Sequence, residues 1–174
     1  MDALALEARA IAADGGFRAA GVGRAHAFNL RTNIRGDRIA WIDPQTAGPA
    51  VRDYLVRLEG LREVLNRELF LGLFDFEGHL TSYPPGSFYG RHLDQFRGVE
   101  RRTLSCILYL NRDWQPGDGG ELRIYTDMAD TAYYEEVVPL GGTLVTFLSA
   151  HFEHEVHVAR RERLSLTGWF RRRA

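Results

Sequence analysis

His92 and Asp94 stand two residues apart in the segment YPPGSFYGRHLD (residues 83–94), and a second histidine cluster, His151, His154 and His157, follows an apolar stretch near the end of the chain. On extended backbone, residues i and i+2 point to the same side, so an imidazole and a carboxylate at this spacing can reach one metal ion together. The pair alone is a weak signal, because the same spacing is common in solvated loops; the second cluster strengthens it. If early and late strands are neighbours, as in a jelly roll, a histidine about sixty residues downstream can close the set. Two histidines and one carboxylate suit non-haem Fe(II), with three coordination positions left for a bidentate co-substrate and oxygen.

Arg163 lies nine residues after His154. Along residues 163–170, Arg163, Ser165, Thr167 and Trp169 alternate with Leu164, Leu166 and Phe170, so one face of this strand is chemical and the other packs. A guanidinium inside a barrel needs a partner, which is either a bound carboxylate or an acidic side chain in a structural salt bridge.

The elements that must position these groups are legible from periodicity. Residues 3–13 are rich in helix formers and are closed by Gly15-Gly16. An irregular stretch runs to Asn33, and residues 34–42 read as a turn entering a strand. Residues 49–70 place Val51, Tyr54, Leu55, Leu58, Leu61, Leu65 and Leu69 at helical intervals, which predicts an amphipathic helix covering one face of a sheet. From Gly78 the texture becomes short apolar or alternating runs separated by Gly, Pro, Asn and Asp. Strands are expected at 79–83, 103–110, 121–125, 135–139, 143–148, 154–158 and 164–170. The architecture this predicts is mainly β with flanking helices, a double-stranded β-helix (jelly roll). It forms one domain (1–174), with helical support and a substrate loop in 1–77 and the jelly-roll core in 78–174.

Composition narrows the function. The 174 residues, 45% hydrophobic, fit a single core without disulfides or structural metals. Cys106 is alone, so no intramolecular disulfide can form, and a cytoplasmic, reducing setting is expected. All 22 basic residues are arginine, which excludes a Walker A lysine, a Schiff-base lysine and a Ser-Lys dyad. A net charge of −1 and the lack of a long apolar run argue against nucleic-acid and membrane partners.

The sequence resembles the 2-oxoglutarate- and Fe(II)-dependent dioxygenases, specifically the oxygen-sensing prolyl 4-hydroxylases and their bacterial relatives. The resemblance is carried by IRGDRIAWI (34–42), YPPGSFYGRHLD (83–94), CILYLNRDW (106–114), GGELRIY (119–125), and HEV (154–156) with Arg163. It implies Fe(II) held by His92, Asp94 and His154, with His151 and His157 as bystanders. It further implies 2-oxoglutarate held by Arg163 and Tyr109 in a pocket lined by Tyr83, Thr167 and Leu122, with O2 as oxidant and ascorbate as a stimulatory reductant. Arg35 and Asp37 fall on what is a mobile substrate-closing loop in the family, and Tyr89, Arg102 and Trp169 match its substrate groove. The partner implied is a protein with a target proline, a translation elongation factor being one candidate. Gly36 between Arg35 and Asp37 suggests a tight turn presenting both charges outward.

Two departures accompany the resemblance. A strand and helix that precede the 3–13 segment in the family are not found ahead of it here, and the loop 149–153 is one residue shorter than in the animal oxygen sensors. A dioxygenase acting on a small molecule such as a free amino acid is the alternative within the enzyme class. A nucleic-acid repair enzyme would want a second arginine where Trp169 stands. A non-redox, cupin-like metal-binding or Zn(II) protein is the alternative outside it.

Overall fold

The alanine- and leucine-rich start and the leucine-spaced segment each fold into a helix, α1 (Asp2–Ala13) and α2 (Pro49–Leu69), in a computed structural model that describes residues 1–21, 31, 33–95, 101–127 and 129–173. Most of the irregular stretch before Asn33 lies outside the described residues. Pro49 opens α2 with its φ already set. The free N–H of Ala50 is met from the other helix, donating to Glu7 Oε2 at 3.0 Å. Gly48 permits this approach, since a Cβ there would lie 2.3 Å from Glu7 Oε1. The helix ends one residue before the expected Phe70, which turns left-handed at φ 53° as the cap. Val51, Tyr54 and Leu58 are buried as the spacing requires, whereas Leu69 is exposed.

The described residues contain ten strands: β1 (Arg18–Ala19), β2 (Arg38–Trp41), β3 (Leu73–Tyr83), β4 (Tyr89–His92), β5 (Arg102–Tyr109), β6 (Leu122–Tyr125), β7 (Tyr134–Val137), β8 (Leu144–Leu148), β9 (His154–Val156) and β10 (Arg163–Arg172). They form a six-stranded sheet in the order β1-β2-β3-β10-β5-β8 and a four-stranded sheet in the order β4-β9-β6-β7, with antiparallel pairing throughout. This is the expected jelly-roll arrangement of two sheets with helices outside.

Three strands depart from expectation, and the first, β1, lies in the stretch read as irregular. β3 starts at Leu73 rather than 79, and its acidic residues Asp75 and Glu77 are paired by Arg171 of β10. β4 was not anticipated as a strand; its pairing with β9 supplies what its Gly-interrupted sequence lacks. In the large sheet, alternate residues separate two cores. Leu80, Leu108, Leu166 and Phe170 pack on α1 and α2, while Ile107 and Tyr109 face Leu122 and Val156 of the small sheet. Among the described residues, no helix is long and apolar enough to cross a membrane.

Candidate active site

Pairing of β4 with β9 sets His92 directly opposite His154, and the bend after β4 returns Asp94 toward both. His92 Nε2 lies 3.7 Å from Asp94 Oδ1, and His154 Nε2 lies 3.7 Å from Asp94 Oδ2. One ligand atom from each of the three residues falls within 4.8 Å of the other two. Each histidine has its other nitrogen engaged. His92 Nδ1 donates to Gly90 O at 2.8 Å and His154 Nδ1 to Phe152 O at 3.1 Å, which leaves both Nε2 lone pairs facing Asp94. His151 is exposed, and His157 points to the outer face of the small sheet, within 4 Å of Glu121, Glu136 and Glu155.

Asp94 is oriented by residues that the sequence does not flag. Ser105 donates to Asp94 Oδ2 at 2.6 Å and is itself 2.8 Å from the Ser149 hydroxyl. Burial alone would raise the Asp94 carboxyl. His154, His92 and the Ser105 hydroxyl outweigh it and hold the group well below the usual carboxylate range. Burial pushes His154 down to about 4, against the pull of Asp94, so its imidazole is neutral near pH 7 and free to act as a ligand.

The register of β10 places Arg163 beside Tyr83, Ser165 between Thr81 and Tyr109, and Thr167 between His79 and Ile107. Arg163 is 1% exposed. Its Nε donates to Gly120 O at 2.9 Å, and its guanidinium carbon lies 4.9 Å from the ring centres of both Tyr83 and Tyr109. Gly120 has φ +69°, and a Cβ there would come within 3.0 Å of the Arg163 Cδ, so the left-handed glycine forms part of the arginine's cradle. Among the described residues, Arg163 Nη2 and the Tyr109 hydroxyl are buried without a hydrogen-bond partner. Burial raises the Tyr109 phenol, against the pull of Arg163, and keeps it a donor.

These groups share a cavity of about 340 Å³. Its charges can be accounted for one by one. Arg35 pairs with Asp37, and Arg102 pairs with Glu77 at 3.0 Å. Among the described residues, Asp94 has no arginine within ion-pair distance and Arg163 has no carboxylate. A buried anion beside two imidazoles fits a divalent cation, and a buried guanidinium beside a phenol donor fits a carboxylate. The residues present therefore fit Fe(II) and 2-oxoglutarate. A structural salt bridge from Arg163 finds no acidic partner among the described residues.

Tyr83, Leu122 and Thr167 line the cavity, as do Arg35, Asp37, Tyr89, Arg102 and Trp169; Tyr109 is not among the lining residues, its ring centre 4.9 Å from the Arg163 guanidinium carbon. One expectation is corrected. Arg35 and Asp37 do not point outward: Asp37 is 2% exposed and takes two hydrogen bonds from Arg35, at 2.7 and 2.6 Å. The turn folds inward because its backbone bonds to β4 and draws both side chains over the site. His79 is a further lining residue that sequence reasoning missed, with its ring edge-on to Trp41 and Trp169 and its Nδ1 2.9 Å from Thr81 Oγ1. Burial pushes it down to about 4. Alternation with Thr81 and Tyr83 was the signal that could have found it.

Comparison with known proteins agrees with this geometry. Residues 78–171 match the 2OG-Fe(II) oxygenase superfamily. A Pseudomonas putida prolyl-4-hydroxylase structure is 50% identical, with a TM-score of 0.87 over 99% of this chain and 86% of that one. A Trichoplax adhaerens prolyl hydroxylase in complex with a hypoxia inducible factor peptide is 26% identical, with a TM-score of 0.83 over 95% and 75% of the two chains. Human Egl nine homolog 1 is 32% identical over 79% of this chain and 33% of its own length, and mouse Prolyl hydroxylase EGLN3 is 31% identical over 80% and 60%. The chain thus spans less than two thirds of these curated relatives. With the matched segment covering more than half of its residues and the ligand set in place, the chain belongs to the 2OG-Fe(II) oxygenase superfamily.

Proposed function

We propose that the protein is an Fe(II)- and 2-oxoglutarate-dependent dioxygenase that hydroxylates a prolyl residue of a polypeptide in the cytoplasm. The observation that carries the reading is the pair of uncompensated buried charges, Asp94 and Arg163, lining one cavity. Iron with its co-substrate and O2 supplies oxidative decarboxylation to succinate and CO2, coupled to oxygen insertion into a C–H bond. The chain's own residues do the rest. His92, Asp94 and His154 would hold the metal. Arg163 and Tyr109 hold the distal carboxylate by charge-assisted hydrogen bonds, while Leu122 and the Thr167 side chain shape the wall and exclude water. Tyr89, Arg102 and Trp169 form the approach. Polypeptide hydroxylation is supported by the 50% identical prolyl-4-hydroxylase and by the peptide-bound relative. A translation elongation factor is a first polypeptide to try.

The test is incubation of the Fe(II)-loaded protein with 2-oxoglutarate and its host proteome, reading succinate release and proline gaining one oxygen by mass spectrometry. Both are expected for wild type and for His157→Ala, and neither for His154→Ala. Succinate formed with free amino acids, without modified proline, would move the assignment to a small-molecule hydroxylase. Metal uptake without any succinate would favour a non-redox metal-binding protein.

A further inference from the structure

His92 and His154 face the same carboxylate but are held differently. His154 is 3% exposed, with the Phe147 ring 4.6 Å from its own. The His92 side chain is 17% exposed, so burial alone does not fix its ring. What covers it is a stack of flat groups. Tyr89 lies on the His92 ring at 3.6 Å between centres and 14° between planes. The Arg35 guanidinium carbon lies 4.1 Å above the centre of Tyr89. Asp37 holds that guanidinium in place with two hydrogen bonds, and Gly21 O accepts a third at 3.3 Å.

The backbone follows the same route. Gly90 N–H donates to Ile34 O at 2.8 Å, and Gly36 N–H donates to Phe88 O at 3.0 Å. The carbonyl of that same Gly90 receives the His92 Nδ1 proton. Residues 34–37 therefore reach the metal ligand His92 by two indirect routes, one through the ring of Tyr89 and one through the backbone of Gly90. A histidine ligand has a ring tilt as well as a direction: the Gly90 bond sets the direction, and the stack sets the tilt. Groups of this kind behind a metal ligand are typically worth about 10–100-fold in metal affinity.

We propose that the Arg35–Asp37 pair positions the iron ligand His92 through the ring of Tyr89, a role distinct from contacting substrate. The inference rests on the reading of His92, Asp94 and His154 as a metal centre. Arg35 and Asp37 are positioning residues. A planar guanidinium held on two sides can press flat on an aromatic ring, which a lysine could not do. Asp37 keeps it from swinging into the cavity.

The experiment is a Co(II) titration of the metal-free full chain, read by visible absorption, with neither 2-oxoglutarate nor substrate present. Asp37→Asn and Tyr89→Leu should each weaken Co(II) binding by about tenfold or more. Tyr89→Phe, which keeps the ring and loses only the hydroxyl, should bind as wild type does. The double variant Asp37→Asn, Tyr89→Leu should be no weaker than Tyr89→Leu alone, because both act through one stack. If Asp37→Asn fails to fold, the Tyr89→Leu and Tyr89→Phe comparison decides. Unchanged affinity in Tyr89→Leu, equal losses in Leu and Phe, or losses that multiply in the double variant would overturn the positioning role. Wild-type protein that takes up no Co(II) would overturn the metal centre itself, and this proposal with it.

Discussion

On the helix side of β3, β5 and β10, Leu80, Leu104, Leu166 and Phe170 close onto α1 and α2 in an apolar core. One residue away along the same strands, the inner side carries His79, Thr81, Ser105, Arg163 and Ser165, all buried and polar. The backbone is shared, and only the alternation of side chains separates the two. Among the described residues, the inner side holds unpartnered buried polar atoms on Arg163, Tyr109 and Trp169, beside the Tyr54 hydroxyl and one Glu7 oxygen on the helix side. Unmet polar groups cost stability, on the order of 1–3 kcal/mol each. The helix-side core therefore offsets what the inner side gives up, and the two faces should respond to substitution in opposite ways.

The largest effect is expected on the helix side. Phe170 is fully buried against Phe76, with ring centres 5.2 Å apart, and Phe170→Ala should lower unfolding stability by about 3–5 kcal/mol. The folded fraction should still bind 2-oxoglutarate as wild type does. Urea denaturation alongside calorimetric titration of 2-oxoglutarate into Mn(II)-loaded protein measures both; a lost affinity with intact stability would break the division of labour.

Arg163→Leu should show the reverse. Affinity for 2-oxoglutarate should fall at least about a hundredfold, roughly 3 kcal/mol, because a buried carboxylate loses its only cationic partner. Melting of the ligand-free protein should decline little, since among the described residues the guanidinium has no carboxylate partner there, and metal uptake should persist. Equal loss of metal and 2-oxoglutarate affinity would make Arg163 a structural residue.

The smallest of the three effects sharpens the comparison through pH. His79 is buried and neutral, pushed from its ordinary 6.5 to about 4. As pH falls through 6.5 the unfolded chain takes up a proton that the folded chain refuses until about pH 4. Stability is therefore lost on acidification across that window, and His154 acts in the same direction. Between pH 6.5 and 4.5, His79→Phe should escape about 2 kcal/mol of the loss seen in wild type. Equal losses in the two proteins, measured as urea midpoints of metal-free samples, would mean that His79 is solvated.

Much of the site could be read before folding, because it follows from local rules. The i, i+2 spacing of His92 and Asp94 and the alternation along Arg163–Phe170 are short-range patterns, and both survive in the structure. The early half of β3 was not legible, since Asp75 and Glu77 find their partner Arg171 nearly a hundred residues later. The same holds for Ser105, whose hydroxyl meets Asp94 only across two strands. The Arg35–Asp37 turn was misread for a related reason. Its sequence specifies a turn and two charges, and whether those face water or protein depends on what β4 presents to it. The consequence is energetic: an exposed pair contributes about 0–1 kcal/mol, whereas breaking a buried one costs about 3–5 kcal/mol.

By itself, the sequence determined which strands alternate, that Cys106 could form no disulfide, that arginine would do all the work of positive charge, and which residue types could hold iron and a carboxylate. These depend on side-chain chemistry and on the two-residue period of extended backbone. From residue types and spacing alone three histidines could complete the metal site; the tertiary structure separates them, since His154 and His157 stand three residues apart, on opposite faces of extended backbone, and the pairing of β9 between β4 and β6 turns His154 inward. It alone decided that Arg163 would be buried without an acidic partner and that Tyr89 would carry the Arg35–Asp37 pair onto His92. The charge state, burial and aim of a side chain are set by neighbours distant in sequence, and a linear pattern contains no term for them.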